Sequence, residues 1–486
     1  MVTRAQFCTR MVFRWNALCR LALLTLLLYP MAARAQSVDA ATARRIDADV
    51  EALRQRYGVP SVAIAAIRDG RLIYTKAYGL RDKEHKLPAR TDTYYEIGSI
   101  TKQFTAAAIL QLQERGKLNI DQSLATYLPN APHANEVTLK QLLTHTSGLH
   151  DYFDGPDAEI DVLAAQPTPF DQLMARIADK PLDFAPGSKW SYSNTGYRLL
   201  GKVIETVSGE SYRGYLQRHI FDPLGMKRTF TIAEEDQLHN MAIGYRHSGG
   251  RLERAPRIGV DWAGSAGFIV STLNDLAIWD AALRGGKVVS HASYDKMVTP
   301  FMTSAAGSAD YGLGLFVDSA YDQPRIGHTG GSHGSTSADE YFPSQHLRLI
   351  AFTNSGDRTP EPGEAVTNAL FADLEPELAA VEMRPAPSEN QAVTEAARAS
   401  FVELQTGRDY AHFGAKLEPK LAAGIGATFK GALGPYGAPT NVVFKGKHAG
   451  DSGDWYDYIV SFGPGAFMKY SVRLDETGKV AGLSLG

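Results

Sequence analysis

The chain has 486 residues, with 50 lysines and arginines against 53 acids and a formal net charge of −3. That slightly acidic balance opposes binding to nucleic acid or to anionic membranes through bulk electrostatics. With 44% hydrophobic residues there is ample material for a core, and the length fits two domains.

Residues 1–35 read as a secretory signal peptide, outside the fold. Arg4, Arg10, Arg14 and Arg20 make a basic start. The apolar run 21–29 is too short to span a bilayer, and Ala33-Arg34-Ala35 is a small-residue cleavage site. Both cysteines, Cys8 and Cys19, lie inside this leader, so the processed chain is expected to hold no disulfide and no cysteine-bound metal. Neither cysteine follows the apolar run, so no lipid-anchored N-terminus is expected. An exported protein, periplasmic or secreted and without a stable membrane anchor, is the expectation.

Residues 41–57 carry apolar side chains at Ile46, Val50, Leu53 and Tyr57, which predicts an amphipathic helix. Two strand-like runs, 61–68 and 71–78, follow around Asp69-Gly70, a strong two-residue hairpin signal. Then comes Gly98-Ser99-Ile100-Thr101-Lys102, leading into an apolar helical run that stops at Gly116. This puts Ser99 at or near a helix N-terminus and Lys102 on the same face of the first turn. The free N–H groups there favour a developing serine alkoxide, and a desolvated lysine beside them would have a lowered pKa. The pair therefore reads as a nucleophile and its activator. Taken alone, the plainer reading of a capping serine and a solvated first-turn lysine wins, because four-residue patterns with two fixed positions arise by chance in most chains.

A second helical unit opens at Thr138 and is expected to stop at Gly148. His145 within it is either a catalytic base or, as general experience favours, a buried ring tying down a neighbouring loop. Residues 151–180 read as a loop with one short helix near 170–178. Tyr192-Ser193-Asn194 precedes a helix over 197–207 that ends at Ser208-Gly209. One residue apart on an extended segment, Tyr192 and Asn194 face the same way and suit proton transfer and hydrogen bonding, although taken alone ordinary aromatic packing of Tyr192 is the favoured reading. The Ser271-Thr272-Leu273-Asn274-Asp275 run reads as a structural cap. Residues 311–317 alternate glycine with apolar residues and read as a strand under close backbone approach.

The stretch Gly327-His328-Thr329-Gly330-Gly331 reads as a strand whose glycines let a substrate lie against the backbone and receive its N–H groups. His328 and His333 are placed on opposite sides of that strand, and no carboxylate-rich ligand set accompanies them, so no metal is expected. Residues 340–342 and 347–353 form a hairpin turning at Pro343-Ser344-Gln345. Residues 379–391 read as a linker. Beyond it, helices near 395–407 and 411–421 and strands at 442–447, 455–463, 466–475 and 480–485 predict a small α+β unit over 392–486.

In that order, Ser99-Ile100-Thr101-Lys102, Tyr192-Ser193-Asn194 and His328-Thr329-Gly330 resemble the motifs of the serine β-lactamase and penicillin-binding-protein superfamily, particularly its class C β-lactamase-related branch. The resemblance covers about residues 45–360, within an expected hydrolase domain of 36–378. It implies an α+β fold, an antiparallel sheet flanked by helices with an all-helical subdomain, and no cofactor. It further implies Ser99 as acylated nucleophile, with Lys102 and Tyr192 sharing the proton transfers. Asn194 would bind the acyl side, His328, Thr329 and Gly330 the substrate edge, and the N–H groups of Ser99 and Gly331 the oxyanion.

The implied substrate is a small molecule or short peptide, including peptides derived from peptidoglycan: a D-peptide, β-lactam or carboxylic ester. One departure stands out. Penicillin-recognising members usually carry lysine where this chain has His328, a largely neutral group near pH 7, so recognition of a substrate carboxylate is weakened and esterase, amidase or D-aminopeptidase activity gains. The alternative is a non-catalytic envelope-binding protein on the same scaffold. The tail resembles nuclear-transport-factor-2-like domains through its helical start and closing hairpin.

Overall fold

Helix α1 (Ala40–Tyr57) starts where the Asp39 carboxylate accepts the Ala41 and Thr42 N–H groups, and it buries Ile46, Val50, Leu53 and Tyr57 on one stripe. Strands β1 (Ser61–Arg68) and β2 (Arg71–Asp82) are joined by Asp69-Gly70, both at positive φ, the geometry of a tight two-residue hairpin. The computed structural model describes residues 37–485 apart from 156, 232–238, 249, 257–258, 302–309, 357–360, 451–452 and 464. The signal read at 1–35 lies outside the described residues.

The chain next adds β3 (Leu87–Pro88), α2 (Thr101–Glu114), α3 (Leu139–Leu143), α4 (Asn194–Ser208), α5 (Val260–Gly267) and α6 (Leu273–Arg284). Strands β4 (Phe316–Ala320), β5 (Gln323–Ser332), β6 (Ser335–Phe342) and β7 (Leu347–Thr353) follow, then α7 (Pro362–Leu374). One antiparallel sheet runs β3-β2-β1-β7-β6-β5-β4, so strands from the two ends of this region meet at β1 and β7.

Period-two alternation divides that sheet between two cores. Ala63, Ala65 and Ile67 of β1 and Ile350 and Phe352 of β7 join the helical side, with α2 at its centre. Val62, Ile64 and Ala66 with Leu347, Leu349 and Ala351 join the opposite side, under α1 and α7. α2 is buried from Thr101 through Leu112, with Phe104 stacked 3.9 Å from Trp279 of α6. Its composition fits that place, because a helix buried on all faces needs no polar stripe.

The tail comprises α8 (Gln391–Thr406) and a four-stranded antiparallel sheet of β8 (Asn441–Gly450), β9 (Gly453–Gly463), β10 (Ala466–Leu474) and β11 (Val480–Leu485). Its apolar residues continue the core beneath α1 and α7. Tyr57 meets Tyr436 edge-on at 5.3 Å, and Tyr321 meets Phe467 at 6.0 Å. The segment read as a linker is tied to β8, where Lys445 Nζ donates to the carbonyls of Val381, Glu382 and Arg384.

Several local expectations are corrected. α3 ends at Leu143, and Gly148 lies in the following loop. The 151–180 region holds a second short helix, Asp157–Ala164, besides Phe170–Ala175. Tyr311 makes only an isolated bridge to Phe316, and the strand proper begins at Phe316, because Gly312 and Gly314 press against the Met297 and Lys102 carbonyls. His333 sits in the β5–β6 turn, off the strand. In the tail, the helix expected over 411–421 begins only at Glu418–Lys420 and runs on through Leu421–Ile425 into Gly426–Leu433. Among the described residues no helix is long and apolar enough to cross a membrane.

Candidate active site

Gly98–Ile100 forms a single 3-10 turn that runs directly into α2, so Ser99 stands just before the α-helix. Gly98 has φ +50°, and a Cβ there would lie 2.7 Å from both the nitrogen and the oxygen of Gly331. A Cβ on Gly330 would come within 2.1 Å of the Ile97 oxygen, which also accepts the Ser337 hydroxyl at 2.9 Å. Only glycines allow this turn to lie so close to β5. β4 pairs with β5 only as far as Gly327, so among the described residues one edge of β5 is open from His328 to Ser332, beside Ser99.

Lys102 is fully buried, and its Nζ lies 3.0 Å from Ser99 Oγ, 3.0 Å from Asn194 Oδ1 and 2.7 Å from the Ala266 carbonyl. Burial lowers its pKa to about 7, opposed by the nearby Asp151 charge. The Asn194 amide is oriented by its Nδ2, which donates to Asp151 Oδ2 at 3.1 Å. Asn194 Oδ1 and the Ala266 carbonyl can only accept, so a neutral Lys102 amine gives its two N–H groups to them and turns its lone pair on Ser99. Of the three partners, only the serine hydroxyl has a proton to give.

Tyr192 enters from the segment before α4, its ring centre 4.6 Å from Lys102 Nζ. Among the described residues its buried hydroxyl has no partner of hydrogen-bond geometry, although the neighbouring Ser99 hydroxyl partly offsets the upward shift that burial imposes on it. The phenol therefore stays protonated near neutral pH. Asn194 is the first residue of α4, yet both side chains reach Lys102 as the one-residue spacing required.

His145 holds this segment. Its carbonyl accepts the Ser191 N–H at 3.0 Å, its Nδ1 accepts the Ser193 N–H at 3.1 Å, and its ring lies 4.3 Å from that of Tyr192. Burial and the Lys102 charge lower its pKa well below the usual range, so it is a neutral clamp, as the loop-tying reading expected. His328 is also neutral, with its pKa lowered to about 3 by burial and Lys102. Its Nδ1–H donates to the Thr329 carbonyl and its Nε2 accepts from the Tyr311 hydroxyl at 3.0 Å. Both ring nitrogens are thus engaged within the protein, and the open edge is presented by backbone from His328 to Gly331.

Asp151 was missed in the sequence, where it merely opens a long loop. Its Oδ2 accepts the Asn194 N–H at 2.7 Å, capping α4, and its charge supports Lys102. No spacing pattern marks it, because its partners lie in other elements. Among the described residues no group of three or more histidine, cysteine or acidic residues is arranged to hold a metal.

The fold and this arrangement are of the β-lactamase and penicillin-binding-protein type. The β-lactamase family model matches residues 46–374, and the chain belongs to that family. A Bacillus subtilis relative whose name places it among the penicillin-binding proteins, PbpX, is 34% identical over 251 residues, which is 52% of this chain and 60% of its own length. A D-aminopeptidase of Gluconobacter oxydans is 27% identical over 400 residues, 79% of this chain and 72% of that protein. A solved D-stereospecific amidohydrolase from Streptomyces sp. has a TM-score of 0.60 and 28% identity, covering 70% of this chain and 99% of that one.

Proposed function

We propose that the protein is an exported serine hydrolase that cleaves an amide or ester of a small molecule or short peptide through an acyl-enzyme on Ser99. The single observation that carries this reading is the set of partners around the buried Lys102 amine, which leaves its lone pair to the Ser99 hydroxyl. Lys102 takes the Ser99 proton as Oγ attacks the carbonyl. The Ser99 and Gly331 N–H groups receive the oxyanion, and Tyr192 O–H protonates the leaving group. Lys102 returns its proton to the phenolate, and the same pair then deprotonates water for hydrolysis of the ester.

His328 positions the strand through its two hydrogen bonds and offers no cation, so a free carboxylate is not a required part of the substrate. This favours esters, amides and N-terminal D-residues over β-lactams and C-terminal peptide carboxylates. The family's amide-hydrolysing relatives support the same direction.

Intact mass after exposure to a fluorophosphonate tests the reading. One adduct is expected on the wild type and none on Ser99→Ala. Turnover retained in Ser99→Ala would sink the mechanism, and absence of any adduct on folded wild type would favour a binding-only envelope protein. Incubation with a penicillin adds the substrate side: a Ser99-dependent adduct would show that a β-lactam is accepted despite His328.

A further inference from the structure

One half-buried carboxyl beside the cleft has no part in the chemistry above. Glu361 occupies the N-cap position of α7, yet its side chain makes no capping hydrogen bond. Its Oε1 instead lies 3.6 Å from where a Cβ on Gly331 would be, at the exposed end of the open β5 edge. Its Oε2 is buried with no hydrogen-bond partner among the described residues. Its charge also bears on the Tyr192 hydroxyl, so the carboxyl lies within electrostatic reach of the catalytic groups. Burial, with Glu364 behind it, raises its pKa to about 7.

The cation paired with Glu364 is shared with other acids. Arg325 is held by Asp318 at 2.8 Å, Glu340 at 2.8 Å and Glu364 at 3.4 Å. An unpaired buried carboxylate is costly, and a ligand that brings donors and a positive charge offsets that cost. A ligand carboxylate would meet repulsion there, and the neutral His328 would not compensate for it. The asymmetry of the cleft thus has a sign.

We propose that Glu361 determines substrate specificity by receiving a primary ammonium group, so that the preferred substrates are amides or esters bearing a free amine near the scissile carbonyl. The inference rests on the hydrolase reading with Ser99 as nucleophile. It assigns a residue for which nothing in the sequence pattern called.

Three phenylboronic acids, carrying a 3-aminomethyl, a 3-methyl or a 3-carboxyl group, would be competed against fluorophosphonate labelling of Ser99 in wild type and Glu361→Gln. In wild type the aminomethyl compound is expected to bind at least tenfold more tightly than the methyl compound, with the carboxyl compound weakest. In Glu361→Gln the aminomethyl advantage should shrink to within twofold while the methyl compound binds as before, an internal control for an intact site. An undiminished advantage in Glu361→Gln, or none in wild type, would overturn the assignment and leave the hydrolase reading standing. Absence of Ser99 labelling in folded wild type would overturn the hydrolase reading itself, and this one with it.

Discussion

The Lys102 amine sets the acid–base behaviour of the site. Its pKa in the fold, about 7, lies below the ordinary 10.5, so below about pH 7 the amine is protonated and cannot take the Ser99 proton. Fluorophosphonate labelling is therefore expected to rise with pH through 7, reaching only about a tenth of its plateau one unit below that value. Lys102→Met should abolish the limb and nearly all labelling, and a wild-type profile flat from pH 5 to 8 would contradict the role. The same shift affects stability. Between about 7 and 10.5 the unfolded chain holds a proton that the folded chain has released, so this group makes the fold less stable as pH is lowered across that window. Asp151 raises the Lys102 pKa, so Asp151→Asn should move the rising limb to lower pH. A limb that stays in place or moves toward higher pH would show that Asp151 acts on Asn194 alone.

At the scale of elements, the site depends on how closely the turn before α2 approaches β5. A Cβ on Gly330 would meet the Ile97 oxygen at 2.1 Å and the Ser337 Oγ at 2.6 Å. Gly330→Ala should cost about 1–3 kcal/mol and displace Ser99 enough to slow labelling about 100-fold. Gly431, within the helix Gly426–Leu433, has nothing within 4 Å of its would-be Cβ, and Gly431→Ala should stabilise by about 0.5–1 kcal/mol with labelling unchanged. Chemical denaturation with labelling of both variants separates a loss of site geometry from a general effect of alanine. Elements written in local chemistry were legible from the sequence: the Asp69-Gly70 hairpin, the helix start at Thr138 and the stripe of α1. The Ser99, Lys102, Tyr192 and Asn194 cluster was legible through the family resemblance that its motifs carry together, since each motif alone favoured a plainer reading. Asp151 and Glu361 were not, since each acts on partners brought near only by tertiary folding. The 311–317 run was misread because its glycines answer to the Met297 and Lys102 carbonyls, a packing demand that imitates strand alternation.

At the scale of the whole molecule, the tail and the hydrolase sheet share one apolar core. Val62, Ile64 and Leu349 of the sheet, Phe371 of α7 and Phe401, Val460 and Tyr470 of the tail belong to the same buried cluster. Its contacts run to α1, α7 and the sheet face opposite α2, whereas Lys102 meets Ser99, Asn194 and Ala266 on the helical side. A stabilising role is the one this placement predicts, with the two units expected to melt together. Tyr436→Ala removes the edge-on contact with Tyr57 and should cost about 3–5 kcal/mol, with one cooperative transition retained and the rate of Ser99 labelling unchanged. Truncation after residue 378 should expose this face and yield a chain that binds hydrophobic dye and aggregates. The contrary outcome is specific: a Tyr436→Ala protein of normal stability whose labelling selectivity among probes is altered would place the tail at the mouth of the site. The shared core argues against it, because a unit that continues the sheet's apolar face loses far more by detaching than a lid could spend on each opening.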